Sequence, residues 1–347
     1  MKLGIELGYS GARLKLPMEL ILRAEQLGYD SIWTAETYGS DAITPLAYIG
    51  ALTKRIRLAT GVVQLAARTP ANLAMCAQTI DAMAGEGRVI VGIGMSGPQI
   101  VEGWYGQPWG KPNYRMRDYV AIVKKILRRE GPVSHDGKEI SLPYKGEGSS
   151  GLGKPLKSIL HGNPNIPIYL GTSTPLNIRM AAEVADGWLS MNWMPKTAQA
   201  NEKLIAEGLA KRTDGVTRKR FGVHGMVSVH ITKDTPADIK AAIDAEKPGI
   251  ALYVGGMGAK DKNFHKDVMT DCGYGDAALR IQELYLAGRK DEANAAVPDE
   301  YVDELALIGP EARMRSRWKP WADSGADSLC LKWPGPDAVE MMARIAL

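Results

Sequence analysis

Cysteine is scarce: Cys76, Cys272 and Cys330 are the only three in 347 residues, and none stands in paired spacing. No disulfide framework or cysteine-based zinc site follows, and a cytoplasmic setting is expected. No uncharged apolar run approaches the roughly 18 residues that a membrane span needs. The opening Met1-Lys2-Leu3-Gly4-Ile5-Glu6 puts an acid where a secretory signal requires its apolar stretch, so no signal is expected. Neither sign of charge is in large excess: 43 Lys+Arg meet 39 Asp+Glu, a formal net charge of +4. Without a basic stripe, nucleic acid is not an expected partner. The densest basic run, Lys211 to Arg220, reads as a solvated loop ahead of a polyanion site. No Ser-His-Asp, Cys-His or Walker signature appears, and the five histidines form no i, i+4 pair. Covalent-nucleophile hydrolysis and a metal centre have no support.

What is present is an alternation. Hydrophobic residues make up 45% and charged residues 24%, which excludes disorder. Short apolar or β-branched runs recur at Leu3–Leu7, Asp30–Glu36, Ile56–Val62, Arg88–Gly94, Ile166–Gly171, Gly187–Met191, Phe221–His230 and Ser328–Lys332. Most are followed by a helical pattern. Pro17 to Gly28 is amphipathic with a terminating glycine, and Thr44 to Leu52 has Pro45 in its first turn. Further helices are predicted over Pro70–Met83, Tyr114–Arg129, Pro175–Ala185, Lys196–Ala210 and Pro336–Ile345, with a long helical and loop region from Pro236 to Asp323. Eight strands alternating with helices predict a (β/α)8 TIM barrel of one domain, 1–347, with insertions after strands four and seven. A doubly wound open sheet would want G-x-G-x-x-G after the first strand, and the nearest pair, Gly92-x-Gly94, lies in the fourth.

In such barrels the chemistry sits at the C-terminal strand ends. Leu170-Gly171-Thr172-Ser173-Thr174-Pro175 joins a strand end, three hydroxyls and a proline-opened helix. It reads as an anion seat or as a plain helix cap. Gly61-Val62 at the third strand end permits close approach of a flat ligand, or is a bulge at the rim. Gly92, Gly94 and Gly97 leave side-chain space near the mouth, beside Ser96. Glu36, followed by Thr37, ends strand two. Its carboxylate bonds a cofactor ring, acts as acid or base, or pairs with an arginine in the barrel floor. His230 falls near the mouth, where a structural role is favoured over a catalytic one. Trp104, Tyr105, Trp109 and Tyr114 cluster after strand four and either wall a flat ligand or form a minor core, the latter preferred.

On these residues the chain resembles the bacterial luciferase-like superfamily of flavin and deazaflavin barrels. The resemblance covers nearly the whole chain. It rests on Leu3-Gly4-Ile5, Ala24-Glu25-x-Leu27-Gly28-Tyr29-Asp30-Ser31-Ile32-Trp33 and Ile56 to Val62. It continues through Ala77 to Asp81, Gly87 to Gly94, Lys154 to Leu156, Ile166 to Gly171 and Ala185 to Leu189. It is nearest the branch that uses coenzyme F420, an 8-hydroxy-5-deazaflavin with a phosphate and polyglutamate tail. The resemblance implies a non-proline cis peptide at Gly61-Val62 behind the ring, and phosphate contacts from Gly171, Thr172 and Ser173. It further implies Glu36 and Thr37 beside the ring, and Gly94 to Ser96 along its other side. The branch's sugar-phosphate dehydrogenases carry a His after the strand-two acid and a Glu after the strand-four glycines. Here those places hold Thr37 and Gly97, which argues against glucose-6-phosphate. The expected function is hydride transfer between F420 and a small organic substrate, with Glu36 and Thr37 as catalytic candidates. The alternatives are an FMN-dependent monooxygenase and a non-catalytic deazaflavin carrier or sensor. A homodimer is expected by analogy.

Overall fold

A computed structural model describes residues 1–257 and 263–347; residues 258–262, inside the region read as helical and loop, lie outside the described residues. Eight parallel strands close into a ring: β1 Lys2–Gly8, β2 Ser31–Thr34, β3 Arg57–Thr60, β4 Val89–Gly94, β5 Ile168–Gly171, β6 Gly187–Ser190, β7 Gly222–Ile231 and β8 Ser328–Lys332. Each pairs with the next in sequence, and β8 pairs back onto β1 with Glu6 opposite Lys332. This is the (β/α)8 barrel that the alternation predicts. No described helix is long and apolar enough to cross a membrane.

Local sequence explains the helix starts. Thr69-Pro70, Thr174-Pro175 and Thr235-Pro236 repeat one device. The threonine side chain accepts the N–H of Asn72, Asn177 or Asp238, and proline fills the first helical position, where no N–H is needed. Between ring and helices lies the main apolar core, including Leu3, Ile5, Ile32, Leu58, Val91, Ile168, Val223 and Leu329. Inside the ring, Trp33, Ala59, Ile90, Tyr169, Leu189, Met226 and Cys330 form a second cluster. His224 sits among them, its ring centroid 5.1 Å from that of Trp33 and 4.9 Å from that of Tyr169. Burial pushes its imidazole down to about 3, so it is neutral. This packing plugs the barrel interior and leaves the C-terminal mouth for ligands.

The strands differ from the sequence reading in three places. β2 stops at Thr34, two residues short of Glu36, whose side chain serves the next loop instead. The long region after β7 contains an unforeseen strand, Ala306–Gly309, which pairs with Ser228–Ile231, while the inner half of β7 pairs with β8. β7 therefore forks at the rim. β3 breaks similarly: past Gly61-Val62, the short strand Val63–Gln64 pairs with the end of β4.

Two of the connections between strands are long. After β4 come the helix Pro98–Gly103, the helix Pro112–Arg128 and an antiparallel pair, His135–Asp136 with Ser141–Leu142. After β7 come six described α-helices, Pro236–Gly256, Phe264–Met269, Gly275–Leu286, Lys290–Ala295, Asp299–Leu305 and, past the strand Ala306–Gly309, Glu311–Ala322. A core among them includes Ile243, Val254, Met269, Ile281, Leu284 and Val302.

Candidate active site

The wall of the mouth is built around one side chain. The Gly61-Val62 peptide is cis. The Val62 isopropyl group occupies the notches left by two glycines on neighbouring strands. A Cβ on Gly94 would lie 2.4 Å from Val62 Cγ2, and one on Gly171 would lie 2.6 Å from Val62 Cγ1. The side-chain space that Gly94 leaves near the mouth is taken by Val62.

Glu36 holds this wall. Its Oε1 accepts the Gln64 N–H at 2.8 Å and an Arg68 N–H at 2.7 Å; its Oε2 accepts the Ala42 N–H at 3.0 Å and a second Arg68 N–H at 2.9 Å. The Glu36 carbonyl accepts from Gln64 Nε2 at 3.0 Å. Both carboxylate oxygens are doubly engaged, so Glu36 has no lone pair to spare for proton transfer. Of the roles read from the sequence, the arginine partnership is the one observed, with Arg68 coming from the loop after Val63–Gln64 and not from the floor. Thr37 is half-buried, and its carbonyl accepts the Tyr105 hydroxyl at 3.0 Å, which ties the insertion after β4 across the end of β2.

The acid the sequence reading missed is Glu6. It is 4% exposed and points into the mouth from β1. Oε1 accepts the Gly8 N–H at 2.8 Å, while Oε2 has no partner among the described residues and lies 2.8 Å from where a Gly61 Cβ would stand. Gly61 is therefore the residue that lets the carboxyl reach the wall. Desolvation raises the Glu6 carboxyl from 4.5 to about 8, against the smaller opposing effects of the Gly8 N–H and the Lys332 charge. At neutral pH it holds its proton.

Lys332 is its neighbour across the β1–β8 pairing. Its Nζ donates to Asn192 Oδ1 at 2.8 Å, and burial lowers the ammonium from 10.5 to about 8 against the attraction of Glu246 and Glu6. Glu246, on the helix Pro236–Gly256, accepts from Ser228 Oγ at 3.1 Å and lies 2.6 Å from His230 Nε2. His230 is at the mouth, as its strand position implies, and bridges the barrel to the insertion.

On the opposite side of the rim, Thr174 caps the helix Pro175–Val184. The Thr172 carbonyl accepts the Trp188 indole N–H at 2.7 Å. The hydroxyls of Thr172 and Ser173 make no hydrogen bond among the described residues, and both residues are half-buried. Of the two readings of this segment, the cap is observed at Thr174, while its two predecessors leave their hydroxyls unengaged. Ser96 is exposed at the end of β4 with φ 58°, and Trp333 follows β8 with φ 40°. Two of the three non-glycine residues with positive φ among the described residues thus stand on the rim, as strained backbone at functional sites often does. Trp104 and Tyr114 are 63% and 41% exposed while Tyr105 and Trp109 are half-buried, so the four aromatics do not together form a minor core.

A closed parallel barrel with a plugged interior thus carries at its mouth a buried carboxyl on one side and two unengaged hydroxyls before a helix on the other. Residues 2–328 match the luciferase-like monooxygenase family, and the chain belongs to that family. It is 43% identical over 347 residues, 99% of each chain, to a protein of Mycobacterium tuberculosis named as a coenzyme F420-dependent oxidoreductase. It is 28% identical over 339 residues, 97% of this chain and 95% of the relative, to the 5,10-methylenetetrahydromethanopterin reductase of Archaeoglobus fulgidus. Among solved structures, the coenzyme F420-dependent tetrahydromethanopterin reductase of Methanopyrus kandleri superposes with a TM-score of 0.77 at 23% identity, covering 99% and 97% of the two chains. An F420-dependent secondary alcohol dehydrogenase superposes at 0.73 with 16% identity, covering 99% and 97%.

Proposed function

We infer that this protein is an oxidoreductase that uses coenzyme F420 and moves a hydride between it and a small organic molecule. The observation that carries the reading is Glu6: a buried, neutral carboxyl with one free oxygen, set against the Gly61-Val62 wall. The names of the relatives supply the coenzyme.

The residues fit such a group. Val62, seated in the Gly94 and Gly171 notches, makes a continuous backing for a flat ring. The Gly171 to Ser173 segment offers two free hydroxyls at the start of a helix, which suits a phosphate. When bound, the coenzyme supplies or accepts the hydride at carbon 5 of its ring. Gly61, Val62 and Gly94 hold the ring's position. Glu36 and Arg68 fix the loop that carries that wall, and Thr37 and Ser96 flank it. Glu6 supplies the proton that must accompany a hydride added to a polar double bond. Lys332 remains charged beside it and stabilises the carboxylate left behind.

Outside the mouth, Tyr48, Leu52, Met75 and Met83 are exposed on the helices Thr44–Leu52 and Pro70–Ala84. This apolar face supports a homodimer, which light scattering of the purified chain measures directly.

The test is a titration of purified protein with oxidised F420, followed by ring fluorescence, beside the same titration with FMN. Saturable 1:1 binding of F420, weakened when Thr172 and Ser173 are both changed to Ala, is expected. Tight FMN binding with none for F420 would overturn the reading in favour of a monooxygenase. Tight F420 binding with no turnover of any ketone, enone or imine would favour a carrier.

A further inference from the structure

Large aromatic side chains are normally buried, because each hides substantial apolar area. Here several stand exposed in one arc on the rim. Trp333, 68% exposed, follows Lys332 directly. Its indole lies over Gly8, where a Cβ would approach Nε1 to 2.5 Å. Tyr9, 44% exposed, comes next in the chain after Gly8. Tyr9 and Tyr38 have ring centroids 6.5 Å apart, and Tyr38 stands edge-on to Trp104 at the same distance. Tyr253, on the helix Pro236–Gly256, is within electrostatic reach of the Tyr9 and Tyr38 phenols.

The arc therefore runs from the end of β8, past β1 and β2, to the insertion that Tyr105 ties across β2. It begins one residue from Lys332 and three from Glu6. It lies on the side of the rim away from the anion seat after β5, so a coenzyme tail seated there would leave it free. Of the cations at the mouth, Arg68 is held by Glu36, whereas Lys332 gives one N–H to Asn192 and has Glu6 and Glu246 close by. Glu6 and Lys332 stand opposite each other across the β1–β8 pairing, at the strand ends from which Tyr9 and Trp333 follow.

We propose that the substrate is a planar, uncharged, conjugated ketone with an aryl or fused-ring body, clasped by Trp333, Tyr9, Tyr38 and Trp104 with its carbonyl oxygen at Glu6 and Lys332. This rests on the F420 oxidoreductase reading and names its substrate class. For an enone, hydride from the reduced coenzyme adds to the β-carbon, and the π electrons shift to the carbonyl oxygen. That oxygen takes the Glu6 proton, and the enol then returns to the ketone in water. The coenzyme is oxidised by two electrons, the enone is reduced, and Glu6 regains its proton from solvent.

The experiment compares benzylideneacetone, its para-carboxylate and 3-penten-2-one. In the first arm, reduced F420 is the donor. Because each stacked aromatic pair contributes about a kcal/mol, kcat/KM for benzylideneacetone should exceed that for 3-penten-2-one by at least roughly tenfold. The ratio should fall to about threefold or less in Trp104→Ala and in Tyr38→Ala, both at exposed positions where folding is little affected. In the second arm, the protein without coenzyme is titrated with benzylideneacetone while tryptophan emission is followed. Saturable quenching, diminished in Trp104→Ala, is expected. Turnover of all three compounds with no preference for the aryl enone, or a preference for the carboxylate, would overturn the substrate class while leaving hydride transfer intact. Saturable quenching without turnover would uphold the aromatic clasp and overturn the oxidoreductase reading. Absence of both quenching and preference would overturn the clasp.

Discussion

Replacing Glu6 with Gln separates chemistry from stability in one variant. Folding carries the Glu6 carboxyl from 4.5 to about 8 because the folded site desolvates it. Between those two values the unfolded chain has released the proton and the folded chain still holds it. The folded state then binds more protons than the unfolded state, so stability falls as pH rises through the window. At pH 7 the deficit is about 3 kcal/mol, taking 1.36 kcal/mol for each pH step above 4.5. Gln has no proton to hold. Its Oε1 can keep the Gly8 N–H, while its new amide, left without an acceptor, costs about 1–3 kcal/mol at every pH. The absolute stability is therefore a poor readout, and its change with pH is a good one. Relative to wild type, Glu6→Gln should gain about 3–4 kcal/mol between pH 4.5 and 7.5, measured by urea unfolding across that range. Over the same range kcat with F420 and its substrate should drop at least ~100-fold, the lower end of what a general acid contributes. A stability difference that is flat with pH, or activity within about threefold of wild type, would refute the placement of a neutral acid at this position.

Lys332→Met removes the neighbouring ammonium that draws the Glu6 carboxyl downward, so the alkaline limb of the rate profile, expected near pH 8 in wild type, should move to higher pH; an unmoved limb in stopped-flow traces would disconnect the two groups. Gly171→Ala places a methyl 2.6 Å from Val62 Cγ1 and should weaken F420 binding at least roughly tenfold while costing about 1–3 kcal/mol of stability, read by titration and thermal melting. Arg68→Met strips the buried Glu36 carboxylate of two hydrogen bonds and should destabilise the protein by about 3–5 kcal/mol in urea, with Glu36→Gln in the same background recovering part of the loss.

Much of the barrel was legible because its signals are local. β-branched runs, Thr-Pro helix starts and glycine helix ends are short-range features, and each predicted strand overlaps an observed one. The Gly171 to Thr174 segment could be read for the same reason, since strand end, hydroxyls and proline are contiguous. Glu6 could not. In Leu3-Gly4-Ile5-Glu6-Leu7 it looks like one polar residue of an ordinary strand, and only the closing of β8 onto β1 sets it beside Lys332. Glu246 was hidden similarly, 16 residues from its partner His230 and on a different element. Glu36 misled for the converse reason. It lies two residues past the end of β2 rather than in the strand, and its engagement depends on Arg68, which lies 32 residues away. The strand Ala306–Gly309 was missed because four small or apolar residues after a helix carry too little period to stand out.

The interlock of Val62 with Gly94 and Gly171 joins three loci that are remote in sequence but sterically inseparable. Enlarging either glycine alone meets an obstacle, and trimming Val62 alone opens a void. Paired changes such as Val62→Ala with Gly171→Ala exchange volume across the contact and should be milder than Gly171→Ala by itself. Engineering libraries aimed at this pocket will find viable combinations more readily if positions 62, 94 and 171 are randomised jointly.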